Sequence, residues 1–179
     1  MNKKQKEYND LIKPIENDII NSFGRLLSDP CDADDALQNA LIKIWNKLDK
    51  IKKHPNPKAL ILRICLNCAY DFIRNKRIRV KRIDKTKPMD SYPDKSQSID
   101  EHLEARTFKK EILFEISKLS INQREVILLR FVNDLTFELI GQALGCKEVT
   151  VRKHLQRGRE KLKKQLTHLL LNSKGHNYG

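Results

Sequence analysis

The sequence predicts an all-α protein in which a flexible linker joins two small helical domains. Leu, Ile, Lys and Glu recur at spacings of three and four residues, which is typical of amphipathic helices. The 179 residues include six glycines and six prolines, and the alternating β-branched runs that mark strands are few. These observations argue against a sheet-based enzyme.

The excess of positive charge indicates a polyanionic partner. Lys and Arg total 36 against 23 Asp and Glu, which gives a formal net charge of +13 and a pI of about 9.7. Such a balance favours binding to nucleic acid. Because no run of 18 apolar residues occurs and the first residues lack the apolar segment of a signal peptide, we expect a cytoplasmic protein with no membrane partner.

Charge also divides the chain into segments. Residues 1–83 and residues 106–179 each carry a net charge of +8. Residues 84–105 carry −3, with two prolines and three serines, which predicts an acidic linker. We therefore place the first domain at 1–83, the linker at 84–105, the second domain at 106–172 and a tail without an assigned role at 173–179.

The first domain is predicted to contain an amphipathic helix that begins at Asp32. Its apolar stripe consists of Leu37, Leu41, Ile44 and Leu48. The carboxylates at its start, Asp32, Asp34 and Asp35, are expected to cap free backbone N–H groups. An alternative interpretation makes them a divalent-metal site, but no His or Glu joins them at ligand spacing, so we expect no metal. Gln38 and Asn39 lie off the stripe and are available to a protein partner.

A basic loop and a second helix are predicted to follow. Residues 49–57, DKIKKHPNP, contain two prolines, which disfavour helix at the residues before them. The helix from about Lys58 is mostly apolar but is crossed by one polar stripe. This stripe consists of Arg63, Asn67, Tyr70, Arg74 and Arg77. A solvated face is the alternative, but the stripe has no Glu and runs into a basic segment, so we expect its cations to contact phosphates and Asn67 a base.

The four cysteines are expected to be free thiols. Cys31, Cys65, Cys68 and Cys146 are too scattered for a disulfide framework. Cys65 and Cys68 form a CxxC pair, but no second ligand pair accompanies them, so buried thiols are favoured over a zinc site. We expect no cofactor.

The second domain is predicted to contain a helix-turn-helix. Ser120 and Gln123 have the spacing of a capping box at the start of one helix. Thr136 is placed to cap a short helix, Gly145 supplies the left-handed residue that ends it, and another helix follows Lys147. Val151, Leu155, Gly158 and Leu162 form the apolar stripe that docks this last helix.

The other sides of the last helix suit a major groove. They carry Thr150, Arg152, Lys153, Gln156, Arg157 and Lys161. Arg and Lys can donate to guanine, Gln can pair with adenine, and further cations can bind phosphates. The alternative, a basic helix exposed to solvent or lying on a membrane surface, is disfavoured by the turn that precedes it.

Three segments, taken in order, resemble the bacterial RNA polymerase sigma factors of the extracytoplasmic-function (ECF) type, which have two conserved regions joined by a linker. DADDALQNALIKIW resembles the helix that binds the clamp helices of the polymerase β′ subunit. KALILRICLNCAYDFIRNKR resembles the helix that opens and reads the minus-ten element. LSINQREVILLRFVNDLTFELIGQALGCKEVTVRKHLQRGREKL resembles the helix-turn-helix that reads the minus-thirty-five element.

This resemblance implies a function, partners and roles for individual residues. It implies a non-enzymatic subunit that binds core RNA polymerase through the β′ clamp helices and the β flap and directs initiation at promoter DNA, with an anti-sigma factor as a further partner. Polymerase would contact Asp34, Asp35, Gln38 and Asn39. The minus-ten region would contact Lys50, Lys52, Lys53, Asn56, Lys58, Arg63, Asn67, Arg74 and Arg77. Upstream DNA would contact Arg124, Glu148, Thr150, Arg152, Lys153, Gln156 and Arg157.

Some residues depart from the family pattern. Ala59 and Leu60 stand where an aromatic or a Trp-Leu pair is usual, so strand separation would depend on capture of a base rather than on stacking. Leu139 replaces an acidic residue and Gly141 replaces an alanine, which concerns helix packing more than DNA contact.

Two other functional classes are compatible with parts of the sequence. A helix-turn-helix transcription regulator would act without replacing the sigma subunit and would protect its duplex site alone, whereas a sigma factor needs core polymerase. A metal-dependent nucleic-acid enzyme built on the three aspartates would cleave DNA in the presence of magnesium.

Overall fold

The structure, a computed structural model, describes residues 2–83 and 100–174, with the side chains of residues 2–76, 78 and 107–167. These ranges fold into helices and contain no β-strand. The predicted all-α fold is therefore confirmed. The predicted linker from residue 84 to residue 99 and the tail from residue 175 lie outside the described residues.

The first unit is a group of helices in residues 2–83. It consists of α1 (Lys3–Ile12), a 3-10 turn (Lys13–Ile15), α2 (Glu16–Leu26), α3 (Pro30–Asn46), α4 (Leu48–Lys52) and α5 (Pro57–Ile83). Helices α1 and α2 lie before the first helix that the sequence analysis identified. Their signal is nevertheless in the sequence, because the buried residues Ile19, Phe23 and Leu26 of α2 recur at spacings of four and three.

The predicted start of α3 at Asp32 is wrong by two residues. The helix begins at Pro30, and the side chain of Asp29 caps it by accepting a hydrogen bond from the Asp32 N–H at 3.1 Å. Proline suits this position because an N–H there would have no partner within the helix. Asp32 lies in the first turn, where its charge still faces the positive end of the helix dipole.

The predicted loop at residues 49–57 is also too long. Helix α4 occupies its first part, because Leu48 and Ile51 are buried on one side of a short helical segment. Residues 53–56 separate α4 from α5, and α5 begins at Pro57 rather than at Lys58. Pro55 and Pro57 come after α4 in the sequence, so they do not prevent this helix from forming.

The second unit begins earlier than predicted. It consists of α6 (Asp100–Ser117), α7 (Ile121–Phe131), α8 (Phe137–Leu144) and α9 (Glu148–Lys174). Helix α6 starts within the expected linker and crosses the boundary placed between residues 105 and 106. No proline or glycine lies between Pro93 and Gly141, and the acidic residues Asp100 and Glu101 favour the first turn of a helix.

The predicted helix-turn-helix is present in α7, α8 and α9. The Ser120 N–H donates to Gln123 Oε1 at 3.4 Å, as a capping box requires. Thr136 Oγ1 accepts from the Leu139 N–H at 3.3 Å, and Gly145 ends α8 with φ at 67°. Val151 of α9 is fully buried, so the predicted apolar stripe does dock this helix.

The two units pack directly against each other. Helix α5 of the first unit contacts α7 and α8 of the second, and buried apolar residues of both units form one continuous cluster. The sequence predicted two domains joined by a flexible linker and gave no sign of this contact.

Gly141 is a point of close approach between α8 and the turn. A Cβ atom built there would lie 2.7 Å from the carbonyl oxygen of Cys146, which is backbone and cannot rotate away. We therefore expect Gly141→Ala to lower the free energy of unfolding by about 1–3 kcal/mol. Gly24→Ala is the matched control, because nothing lies within 4 Å of its Cβ position and α2 should gain about 0.5–1 kcal/mol. Urea unfolding followed by circular dichroism measures both, and equal effects of the two changes would contradict this account.

The cysteines provide a test of the first core. Burial raises the pKa of the Cys65 and Cys68 thiols, so little reactive thiolate forms there, whereas Cys31 is exposed. We expect iodoacetamide at pH 8 to modify Cys31 rapidly and to modify Cys65 and Cys68 only on unfolding. Peptide mass spectrometry with and without urea reads each site. Modification of Cys65 in the folded chain as fast as that of Cys31 would show that this core is not packed as described.

Candidate nucleic-acid interface

The four residues that the family resemblance assigns to polymerase contact share one side of α3. Asp34, Asp35, Gln38 and Asn39 are all exposed. Asn39 Nδ2 donates to the carbonyl oxygen of Asp35 at 2.9 Å, which fixes that side chain on the helix surface. We call this group the α3 face.

One residue beside the α3 face was missed by the sequence analysis. Ile42 lies four residues after Gln38 and is 59% exposed. Its exposed side chain adds apolar area beside the polar α3 face, and burying such area stabilises a protein contact. Its departure from the apolar stripe of the helix was the available signal.

The three aspartates of α3 do not act as one cluster. Asp32 forms an ion pair with Lys76 of α5, whereas Asp34 and Asp35 are exposed. Within residues 2–83 and 100–174, no group of three or more His, Cys, Asp or Glu side chains is arranged to hold a metal ion.

The predicted DNA-contacting lysines before and at the start of α5 have different surroundings. Lys50 and Lys53 are exposed. Lys52 lies 2.6 Å from Glu7, and its hydrogen bond lowers the pKa of that carboxyl, while Lys58 lies 2.9 Å from Asp18. Both ion pairs are at the surface, so they leave the lysines accessible to a stronger anion such as phosphate.

Both polar atoms of the Asn56 side chain make hydrogen bonds within the protein. Its Oδ1 accepts from the Ala59 N–H at 3.0 Å and so caps α5. Its Nδ2 donates to Gln142 Oε1 of α8 at 2.9 Å. This residue, expected to contact the minus-ten region, thus joins the start of α5 to the second unit.

The predicted stripe of α5 divides into a covered part and an exposed part. Arg63 donates to Glu125 Oε2 at 2.9 Å and to the Ala143 carbonyl at 3.0 Å. Asn67 donates to Glu125 Oε1 at 2.7 Å. Arg74 is exposed, and Arg77 lies within α5 with its side chain outside the described residues.

Tyr70 was wrongly placed on the polar stripe. It is one of the largest fully buried side chains, because α5 is covered by the second unit at this position. The guanidinium carbon of Arg124 lies 4.3 Å from the centre of the Tyr70 ring, which is a cation–π contact between the units. Arg124, which was expected to touch upstream DNA, is therefore also held at this boundary.

We call this boundary the seam. Its first side consists of α2 and the segment from Asn56 through α5. Its second side is the segment from α7 to α8. At its edge Asn133 donates to Ser22 Oγ at 2.6 Å, and Arg25 donates to the Val132 carbonyl and lies 3.5 Å from Asp134. Glu125, which no sequence pattern singled out, is the buried acid at the seam. A charge in the middle of the α7 sequence QREVILL was the only available signal.

The residues of α9 that were predicted to read the major groove are exposed to solvent. Glu148, Thr150, Arg152, Lys153, Gln156 and Arg157 are all exposed. We call them the recognition face. Arg152 lies 3.5 Å from Glu148 and its guanidinium carbon is 4.2 Å from the Phe137 ring centre, while Gln156 donates to Glu160 at 3.0 Å. These contacts orient long side chains at the start of a helix that follows a tight turn, as in DNA-reading helix-turn-helix proteins.

Val149 on the same turn was missed by the sequence analysis. It is 61% exposed beside Glu148 and Thr150. An apolar side chain at the start of a groove-reading helix can contact the methyl group of thymine. Its position off the stripe that begins at Val151 was the signal.

Comparison with known proteins places both units in one family. Residues 11–78 match the model of Sigma-70 region 2, and residues 109–162 match the model of Sigma-70 region 4. Both matches fall within the two helical units described above. No helix in the described part of the chain is long and apolar enough to cross a membrane.

Individual relatives are similar along most of their length. The chain is 26% identical over 160 residues to the RNA polymerase sigma-E factor of Streptomyces avermitilis, covering 89% of this chain and 85% of that one. It is 25% identical over 171 residues to the ECF RNA polymerase sigma factor SigW of Bacillus subtilis, covering 92% and 91%.

Solved structures share the fold. The sigma factor RpoE in complex with the anti-sigma factor NepR from Bartonella quintana matches with a TM-score of 0.50 and 23% identity over 89% of this chain and 98% of that one. CnrH in complex with the cytosolic domain of CnrY matches with a TM-score of 0.53 and 20% identity over 92% and 90%. With regions 2 and 4 in this order, the chain belongs to the ECF group of RNA polymerase sigma factors, which direct promoter-specific transcription initiation.

Proposed function

We propose that the two units divide the work of promoter selection in a specific way. The α3 face binds core polymerase, and the recognition face binds the minus-thirty-five element. The loop residues of the first unit and the stripe residues of α5 other than Tyr70 bind the minus-ten element. The chain supplies no catalysis of its own. Two weak DNA contacts then act together because polymerase fixes the spacing of the units.

The observation that carries this proposal is the recognition face. Its side chains are exposed on a helix whose apolar stripe is docked and whose preceding turn is fixed by a left-handed glycine. Arg152, Lys153 and Gln156 are donors of the kind that read base edges in a major groove. A basic helix held in this way presents its donors at low conformational cost.

Two further features belong to the proposal. Core polymerase as a partner implies that the chain works in the bacterial cytoplasm. An anti-sigma factor is the third partner, and this is supported by the solved structures of RpoE with NepR and of CnrH with the cytosolic domain of CnrY.

The direct test is run-off transcription with bacterial core polymerase on a pool of random promoter fragments. We expect the chain to direct initiation from fragments that share two elements at a fixed spacing. A chain that protects duplex sites without polymerase and never directs initiation would instead be a conventional regulator.

Arg152 and Lys153 are expected to contribute to the upstream element. Replacing either with Ala should weaken use of that element by about 1–3 kcal/mol for each base that is no longer read. Lys110→Ala is the control, because Lys110 is an exposed cation that lies on α6 and is not part of the recognition face. Run-off transcription from promoters with intact and scrambled upstream elements measures the effect. A defect that is the same on both promoters would exclude base reading by these residues.

The α3 face is expected to act on polymerase capture alone. Asp35→Asn combined with Gln38→Ala should weaken binding to core polymerase roughly tenfold, since a few contacts dominate such surfaces. Asp10→Asn, an exposed acid on α1, controls for the removal of charge. Native gel titration with core polymerase gives the affinity, and filter binding to duplex DNA should stay unchanged. Equal decreases in both assays would contradict the separation of roles.

A further inference from the structure

We propose that the second unit holds the first in a closed state that blocks its minus-ten surface, with the Glu125 carboxylate occupying the place of DNA acceptor atoms, a phosphate at Arg63 and a base at Asn67. The chain then has to open at the seam before it can read a promoter. This inference rests on the proposed function and adds regulation of the same surface.

Glu125 is suited to this role by its burial and its bonding. Its side chain is 4% exposed, and each of its oxygens accepts a hydrogen bond from α5. DNA offers acceptors of the same kind, because a phosphate oxygen accepts from a guanidinium and a base edge accepts from a side-chain amide. The same donors cannot serve Glu125 and DNA at once.

The blocking is selective for one element of the promoter. Asn56, Arg63 and Asn67, all assigned to minus-ten contact, make hydrogen bonds to the second unit. The recognition face, in contrast, is exposed throughout. The closed chain therefore keeps its upstream contact available while its minus-ten contact is covered.

The closed arrangement is too compact to read a whole promoter. Elements centred near minus ten and minus thirty-five lie about 85 Å apart on a duplex with about 3.4 Å per base pair. In the closed state Arg63 bonds the Ala143 carbonyl of α8, and α8 packs on α9, which carries the recognition face. Engagement of both elements thus requires separation of the units.

The seam contains buried polar atoms that favour separation of the two units. The Tyr70 hydroxyl, Arg124 Nε and Asn133 Oδ1 are buried there without a hydrogen-bond partner within the described part of the protein. Buried polar atoms that lack partners disfavour the state that buries them. Opening exposes these atoms to water, which offsets part of the free energy of breaking the Glu125 hydrogen bonds.

The test compares Glu125→Gln with Glu111→Gln in the free full-length chain. Both changes raise the net charge by one, but Glu111 is exposed on α6. A glutamine at position 125 can accept only at its Oε1, so its NH₂ group faces either Arg63 or Asn67, both of which are donors. The probe is a fluorescein-labelled random-sequence single-stranded DNA about 20 nucleotides long, a length that spans at least one typical single-strand site, followed by anisotropy at several salt concentrations.

We expect Glu125→Gln to bind this probe at least about threefold more tightly than Glu111→Gln, because a larger fraction of the chain is open. The log-log salt slope should steepen by about 0.7 for each phosphate contact that is freed. Small-angle X-ray scattering should show the radius of gyration of Glu125→Gln rising by about 4 Å.

Gln142→Ala is the second variant, and it tests the proposal without changing the buried Glu125, whose substitution could impair folding. Gln142 is partly exposed on α8, where alanine is a good helix former, and its removal frees Asn56 without a change in charge. It should also raise DNA affinity. Unchanged affinity and unchanged dimensions in both variants would overturn the proposal.

Run-off transcription with core polymerase separates this proposal from the proposed function. If the wild-type chain directs initiation but both variants keep its DNA affinity and its dimensions, the proposed closure is overturned and the proposed function stands. Variants that open and bind DNA, from a chain that never directs initiation, overturn the proposed function while the closed state stands.

Discussion

Burial of helix α5 from two sides organises the whole molecule. On one side this helix packs against α2, α3 and α4, and on the other against α7 and α8. Residues such as Ile61, Leu62 and Leu66 are removed from water, and so is Tyr70, which a solvated stripe would leave exposed. Because one helix belongs to both packing surfaces, the orientation of the second unit follows from the first.

The seam joins two positively charged units: residues 2–83 carry a net charge of +8 and residues 100–174 carry +5. Like charges of this size disfavour close approach, so specific contacts have to offset the repulsion. Glu125 does so by accepting from both Arg63 and Asn67, which satisfies each of its oxygens. A buried carboxylate is tolerated only when it is paired in this way.

The functional surfaces differ in how the fold presents them. The recognition face depends on a local device, the turn that Gly145 and the close approach at Gly141 make possible, and it is therefore complete within the second unit. The surface around Asn56, Arg63 and Asn67 depends on what packs against α5. Its availability is consequently a property of the whole chain rather than of the first unit.

Local sequence was sufficient to predict the all-α class, the capped helix-turn-helix and the exposed sides of α3 and α9, since helical periodicity, Thr136 and Gly145 act over a few residues. It also carried the order of the two regions that identifies the family. It did not predict the short helix α4, which exists because Ile51 is buried, or the start of α6 at Asp100. The partners of Asn56, Arg63, Asn67 and Tyr70 were set by tertiary packing. These contacts join residues more than fifty positions apart, and no local pattern specifies which polar side chain will meet another across such a distance.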